Sequence, residues 1–486
     1  MSAIRRMMVV ACRRGSLAGF VLAVLGATES FAADATAIVG VDIIPMTSDV
    51  VLDDHTIVVE NGRIAALCPA GGGCLPPDAS VIDATGKFLM PGLIDSHNHF
   101  GGIAFDGRDE TRIRTRDQHL RQYVMFGVTT VRDPAGNPLV LQARDQINRG
   151  ELFGPRIFTS WGVMDGGPPL FPGTRSFTDP GQAADFVRLT KRYGFDFVKV
   201  YSTMDIGVFD AVMAAADETG LTVAAHVPVR VPLEHALAKG LRSIEHLTGY
   251  DVACAHPDRT IRPVVEEIYQ GWAWCTPAKV AALAQMTARY EVWNVPTLAL
   301  WDNTLTEFER PGRAVGEVGR FEHPLTPAGF DWLYGIYGPG ARAGIRGTRS
   351  TRLGLVKALA DAGAPLLIGT DASATGYTVH REMGLFVEAG LTPYQALRAA
   401  TAEAARYLTR EGEFGTVVPG ASADLVLLDA NPLTDIANAR LIRGVMLRGE
   451  WWTKQMIDAE MAAILREYAE DAARMRELGI GQSAEK

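Results

Sequence analysis

From Pro91 onward the sequence alternates a short, continuously apolar run with a segment bounded by helix start and stop signals. The runs are the opening Pro91–His99, then Val128–Arg132, Arg156–Trp161, Phe195–Tyr201, Thr222–Val227, Arg242–Leu247, Val292–Leu300 and Pro365–Thr370. Apolar runs of this kind suit parallel strands covered on both faces, and eight such units predict an α/β (β/α)8 TIM-type barrel. The intervening segments carry their own punctuation: Asp179-Pro180 opens a helix that ends at Gly194, Asp205 opens one that ends at Gly220, and Ser350–Gly363 behaves likewise. Thr392-Pro393-Tyr394-Gln395 is a capping box with proline at the first helical position, predicting a helix through Tyr407.

The flanks have a different period. Ala37–Ile44, Thr56–Glu60 and Arg63–Cys68 read as short strands with Asn61-Gly62 as a hairpin turn, and β character returns in Gly415–Gly420 and Ala423–Leu428. Both ends are expected to build one small β-sandwich. The resulting division is a signal peptide at 1–33, the first sandwich part at 34–90, the barrel at 91–412, the second sandwich part at 413–453 and a C-terminal helix at 454–486, read as a solvated outer element. A chain of 486 residues has room for a large barrel plus an appended domain. Its net charge of −9, with 47 basic residues scattered rather than striped, excludes the usual nucleic-acid footprint.

Arg5, Arg6, Arg13 and Arg14 precede an apolar stretch from Leu17 to Ala27, and Ser30-Phe31-Ala32 resembles a small-x-small cleavage site. The apolar stretch is shorter than the ~20 residues needed to span a bilayer, so export without a stable membrane anchor is the expectation, with a periplasmic destination. Arg13-Arg14 is a loose match to a twin-arginine signal. Export leaves four cysteines in the mature chain, for which sequence proximity suggests pairing Cys68 with Cys74 and Cys254 with Cys275; free buried thiols are the alternative. Two connections are unusually long, Gly249–Thr276 and Trp301–Arg349, and read either as a substrate lid or as a contact in a homo-oligomer.

Chemistry-bearing residues fall at the ends of the apolar runs: His97 and His99 after the first, Lys199 in the fourth, His226, His246 and Asp371 after the fifth, sixth and eighth. In a barrel that closes in order, all six face the catalytic mouth. Imidazole nitrogens and carboxylate oxygens suit zinc, and a catalytic site keeps one coordination position open for water. Taken singly, each has a structural alternative; for Lys199 it is a buried lysine paired with a carboxylate.

This ordering resembles the metal-dependent amidohydrolase superfamily, in particular its imidazolonepropionase-like branch with prolidase-like Xaa-Pro and Xaa-Arg dipeptidases. The matching motifs are Pro91–His99, Gly127–Asp133, Ser243-Ile244-Glu245-His246, Gly369-Thr370-Asp371 and Pro419–Leu425. The resemblance implies two divalent metal ions, zinc by preference. His97, His99 and Asp371 would hold one, His226 and His246 the other, and a carboxylated Lys199 would bridge them. It further implies Asp371 as general base and acid during attack of a metal-activated hydroxide on an amide carbonyl. Imidazolonepropionases themselves use one metal and no bridging lysine, so the metal count turns on Lys199.

The substrate is less constrained. A dipeptide or N-acyl amino acid fits the branch and the export signal, with a cyclic-amide hydrolase or deaminase, or a non-catalytic binding protein, as rivals. Tyr201 shares the inward face of Lys199 and is a candidate for hydrogen bonding the scissile carbonyl or the substrate carboxylate, with barrel packing as the alternative. Arg230 and His380 are candidates for a terminal carboxylate or ordinary surface residues. Val227-Pro228-Val229 departs from related dipeptidases, which often place a second histidine there.

Overall fold

The computed structural model describes residues 35–101, 106–168, 174–255, 271–302, 318–324, 339–372 and 374–480. The signal-peptide reading at 1–33 and the centres of both long connections lie outside the described residues. Residues Asp34–Lys486 cluster as one compact unit. Among the described residues no helix is long and apolar enough to cross a membrane.

The N-terminal strands are β1 (Thr36–Ile43), β2 (Leu52–Glu60), β3 (Arg63–Pro69), β4 (Ser80–Asp83) and β5 (Phe88–Pro91). Asn61 and Gly62 both adopt the left-handed backbone, at φ 51° and 74°, as a two-residue turn matching strand twist requires. Then come the strands of the alternating region: β6 (Leu93–Asp95), β7 (Val128–Asp133), β8 (Arg156–Thr159), β9 (Met164–Asp165), β10 (Arg175–Ser176), β11 (Phe197–Val200), β12 (Thr222–Ala225), β13 (Ser243–Glu245) and β14 (Trp293–Val295). The C-terminal strands are β15 (Leu425–Leu428), β16 (Ile442–Leu447) and β17 (Glu450–Thr453).

The alternating region forms two parallel sheets, β6-β7-β8 and β10-β9-β11-β12-β13-β14. A single bridge, Ser160 to Phe197, links them on one side. On the other side residues 365–371 lie between β14 and the end of β6: Leu367 N donates to Asn294 O, Ser96 N to Ile368 O, and Thr370 N and Asp371 N to His97 O. This segment makes one isolated bridge, Asn294 to Leu366, and not the regular strand expected at Pro365–Thr370. Gly369 permits its approach, because a Cβ there would stand 2.8 Å from the Cβ of His97 and 2.4 Å from a methyl of Val295.

The two chain ends share one eight-stranded mixed sheet, in the order β17-β16-β15-β5-β1-β2-β3 with β4 on β1. The sequence expects a sandwich; the ladder observed is continuous, since β1 pairs antiparallel with β2 and parallel with β4 and β5, and β5 pairs antiparallel with β15. Ile38, Ile43, Ile57, Leu425, Leu427 and Met446 give this sheet its own apolar core. Gly415–Gly420, expected as a strand, spreads its amides over separate segments, with Val417 N on Pro45 O and Gly420 N on Ile64 O.

The helices follow their caps. Asp179 accepts from Gln182 N, Gly220 ends its helix at φ 67°, and Thr392 with Gln395 closes the capping box. That last helix stops at Ala399 and restarts at Ala402, instead of running to Tyr407. The carbonyls of Ala399 and Ala400 turn away to accept Ile368 N and Ile94 N, which ties the break to the strand layer. The helix Lys454–Glu477 is docked rather than solvated: Ile457, Ile464, Tyr468 and Met475 are buried along one face.

Candidate metal centre

His97, His99, His226, His246 and Asp371 each sit just beyond the carboxyl end of a strand or strand-like segment, while Lys199 lies within β11. Parallel strands deliver such residues to one mouth. The ring centres of His97 and His99 are 5.3 Å apart, and those of His97 and His246, and of His226 and His246, 4.5 Å apart. Asp371 faces this cluster, with carboxylate oxygens 3.3 Å from His99 Nε2, 3.6 Å from His246 Nε2 and 3.8 Å from His97 Nε2. Among the described residues, His97, His99 and Asp371 offer ligand atoms that all lie within 4.8 Å of one another.

Each of the four imidazoles has an oxygen at its Nδ1. His97 meets Glu245, His99 meets Asp133 at 3.3 Å, His226 meets Ser202 at 3.2 Å, and His246 meets Thr297 at 2.6 Å. An imidazole so engaged is fixed in orientation, with Nε2 as its free donor atom for a ligand. These four partners were absent from the sequence reading. Glu245 and Asp133 belong to the motifs around His246 and after Gly127, but only the fold shows what they touch. Nothing in the sequence marks Ser202 or Thr297.

Burial and the nearby Lys199 hold His97 and His226 well below the ordinary imidazole range; burial, His97 and Lys199 do so for His246. All three are therefore neutral ligand bases near pH 7. For His99 burial acts the same way, yet Asp371 and Asp133 outweigh it and raise the value. Burial pushes Asp371 up against the opposing pull of His99 and Lys199. Lys199 is 2% exposed, its Nζ has no hydrogen-bond partner, and burial brings its amine down to about 8. Imidazole nitrogens and a buried carboxylate that converge on one point are costly without a bound cation, so this donor set fits a metal, while the orphaned Lys199 amine beside it calls for an anionic partner or for conversion to one.

The backbone is strained at the same place. His246, Leu247, Thr297 and Asp371 are non-glycine residues with φ of 58°, 57°, 48° and 45°. Left-handed side-chain-bearing residues of this kind gather where function holds them.

Behind the rings, Arg132 is completely buried and donates to both oxygens of Glu245, at 2.7 and 2.8 Å. Its other nitrogens reach Ser96 O, Tyr407 Oη and, at 3.3 Å, Ser243 Oγ. Burial would raise the Glu245 carboxyl, but Arg132 and Lys199 prevail and keep it low, hence ionised.

The Tyr201 ring lies against that of His226, with centres 3.9 Å apart and planes tilted by 34°. Of the remaining two sequence candidates, Arg230 stays at the carboxyl ends of β11 and β12, where it meets Thr203 O and Asp205, and His380 does not. Arg230 is 48% exposed and paired with Asp205 at 2.8 Å. His380 is buried on the helix Tyr377–Glu388, with Nε2 3.0 Å from Phe126 O. Phe126 precedes β7, so His380 lies at the amino end of a strand whose carboxyl end carries Asp133; a strand-end position in sequence had brought it to notice, and the helix that follows carries it away.

Comparison with known proteins extends these observations. The Amidohydrolase family matches residues 88–452. An adenine deaminase of Ruegeria sp. is 36% identical over 81 residues, a match spanning 17% of this chain and only 12% of that enzyme's length. A 5-methylthioadenosine/S-adenosylhomocysteine deaminase of Symbiobacterium thermophilum is 24% identical over 434 residues, covering 80% of this chain and 84% of that one. Among solved structures, a Xaa-Pro dipeptidase with bound methionine superposes with a TM-score of 0.67 at 21% identity, covering 86% of this chain and 100% of the other.

Proposed function

The chain belongs to the amidohydrolase family, and from that premise we propose that it is an exported, metal-dependent hydrolase of amide bonds in dipeptides or N-acyl amino acids. The observation that carries the reading is the convergence of four imidazoles, each held at Nδ1 by an oxygen, around Asp371 and an unpartnered buried lysine. In this reading the two parallel sheets and residues 365–371 close as one eight-unit barrel with the site at its mouth.

His97, His99 and Asp371 would hold one divalent ion, and His226 and His246 a second. Ions bound there would supply Lewis-acid polarisation of the substrate carbonyl and a water that loses its proton near neutral pH. Asp371, whose affinity for a proton is raised by burial, takes the proton of the attacking water and hands it to the departing amine. Burial brings the Lys199 amine down to about 8, which favours the uncharged form able to add carbon dioxide. Addition of carbon dioxide with loss of a proton would turn Lys199 into a carbamate, an anionic oxygen ligand beside both sets of histidines. Tyr201, packed against the ring of His226, would donate its hydroxyl to the substrate's carbonyl or carboxylate.

A second reading, deamination or opening of a cyclic amide, is favoured by the deaminase that matches along most of the chain. One experiment separates them. Metal-loaded protein is incubated with a dipeptide library, N-acyl amino acids, cyclic amides and aminopurine nucleosides, with metal content measured in parallel. Free amino acids from the wild type, none from Asp371→Asn, and about two ions per chain falling in Lys199→Ala are the expected results. Ammonia release or ring opening replaces the peptidase reading, and one ion per chain removes the bridge.

A further inference from the structure

We propose that Glu245, oriented by Arg132, is a positioning residue that locks His97 with its proton on Nδ1 and makes the His97/His99 position the tighter of the two metal positions. The inference takes its purpose from the metal-hydrolase reading and its geometry from contacts that exist without any metal.

Arg132 grips His97 from two directions. One nitrogen donates to the carbonyl of Ser96, the residue immediately before it, and another donates to both oxygens of the carboxylate that meets its ring. Backbone and side chain of a single histidine are thus fixed to one planar cation. The cation is itself held: its centre lies 4.9 Å from the ring of Tyr407 and 5.2 Å from that of Phe197. Ser243 Oγ ties the assembly together, 2.6 Å from Glu245 and 3.0 Å from Tyr407 Oη. Arg132, Ser243 and Glu245 are all 0% exposed.

Stability does not explain such an arrangement. A fully buried arginine–carboxylate pair loses most of its attraction to desolvation, and apolar residues of similar volume often replace it without cost. Direction explains it. With Arg132 on one side, the lone pairs of Glu245 left over face His97, and a carboxylate there accepts only from Nδ1–H. Nε2 is left with its lone pair 3.8 Å from Asp371.

The four histidines are not equivalent in this respect. His97 and His99 are backed by carboxylates, Glu245 and Asp133, whereas His226 and His246 are backed by the hydroxyls of Ser202 and Thr297. A carboxylate raises the basicity of the ligand nitrogen and fixes its tautomer; a hydroxyl, free to donate or accept, does less of both. The first position therefore binds more tightly, and the second exchanges.

Two readouts test this. In metal-free protein, nitrogen-15 spectra of the histidines are expected to show His97 protonated at Nδ1 in the wild type and a mixture of tautomers in Glu245→Gln. In chelator competition with zinc, the wild type is expected to release its ions in two separated steps, and Glu245→Gln to weaken the tighter step roughly 10- to 100-fold while sparing the other. Tyr407→Phe, which removes only one partner of Arg132, is expected to shift the same step roughly two- to tenfold and covers the case in which Glu245→Gln does not fold. His97 protonated at Nε2 in the wild type, or a tight step unmoved by both variants, overturns the proposal. Wild type that binds no zinc overturns the metal-hydrolase reading and the tightness claim together, and the metal-free spectra then decide the positioning role alone.

Discussion

At the residue scale, small groups behind the rings decide as much as the rings themselves. Thr297 shows why: its hydroxyl lies 2.6 Å from His246 Nδ1, it is fully buried, and it holds a left-handed backbone at φ 48°. Thr297→Val keeps the shape and strips the partner, leaving a buried imidazole nitrogen unsatisfied at about 1–3 kcal/mol. The expected outcome is a lower denaturant midpoint in the metal-free protein and weaker zinc binding at the His226/His246 position, read by unfolding curves and chelator competition. An unchanged midpoint would show that the hydroxyl contributes nothing. Such residues are invisible in the sequence because a lone threonine after a strand has no signature, whereas His97 and His99 announce themselves by spacing and by the motif around them. His380 illustrates the opposite error: an imidazole that follows a strand in sequence is drawn off in space to the carbonyl of Phe126.

At the scale of elements, the helix Tyr377–Glu388 reaches under the site. Glu382 accepts the amides of Leu298 at 2.9 Å and Ala299 at 2.6 Å, immediately after Thr297, and burial lifts its carboxyl from 4.5 to about 8. The folded chain therefore keeps a proton that the unfolded chain releases, so stability declines as pH rises from about 4.5 to about 8. Glu382→Gln is expected to flatten that decline, at the cost of one acceptor and hence of some stability at pH 5, as measured by denaturant titration across the window. An unaltered slope would assign the pH dependence to other groups. Caps and turns were legible in the sequence because their chemistry is local: Asp179, Gly220, the Thr392 box and Asn61-Gly62 all act within a few residues. The break between Ala399 and Ala402 was not legible, since it depends on Ile94 and Ile368 competing for carbonyls that a lone helix would keep. The irregularity of 365–371 has the same origin, in bonds to His97 and Asn294.

At the scale of the whole molecule, the C-terminal helix Lys454–Glu477 works as a strap across the helix Asp109–Met125. Arg121 pairs with Glu460 at 2.6 Å and Glu467 at 2.5 Å, Arg114 pairs with Asp471, and Tyr468 donates to Gln122 at 3.0 Å. Three large apolar side chains on its inner face, Ile457, Ile464 and Met475, each worth about 1.5–3 kcal/mol, together approach the total margin of a typical fold. A chain ending at Thr453 is expected to be largely insoluble or to melt many degrees lower, as scanning calorimetry of the soluble fraction would show; unchanged melting would make the strap ornamental. The charge pattern of the helix was readable, but its docked face was not, because the same residues could equally coat a solvated rod. The sheet shared by the two chain ends carries a consequence in time. The ladder between β5 and β15 joins Met90 to Val426, so a ribosome produces one half of it long before the other exists. Until synthesis nears completion, β5 offers an unpaired edge, and any chain cut short before β15 keeps it permanently, a ready target for proteases and chaperones. Only a chain that runs past β15 can hide that mark, so the joined ends report that synthesis has carried through the whole alternating region.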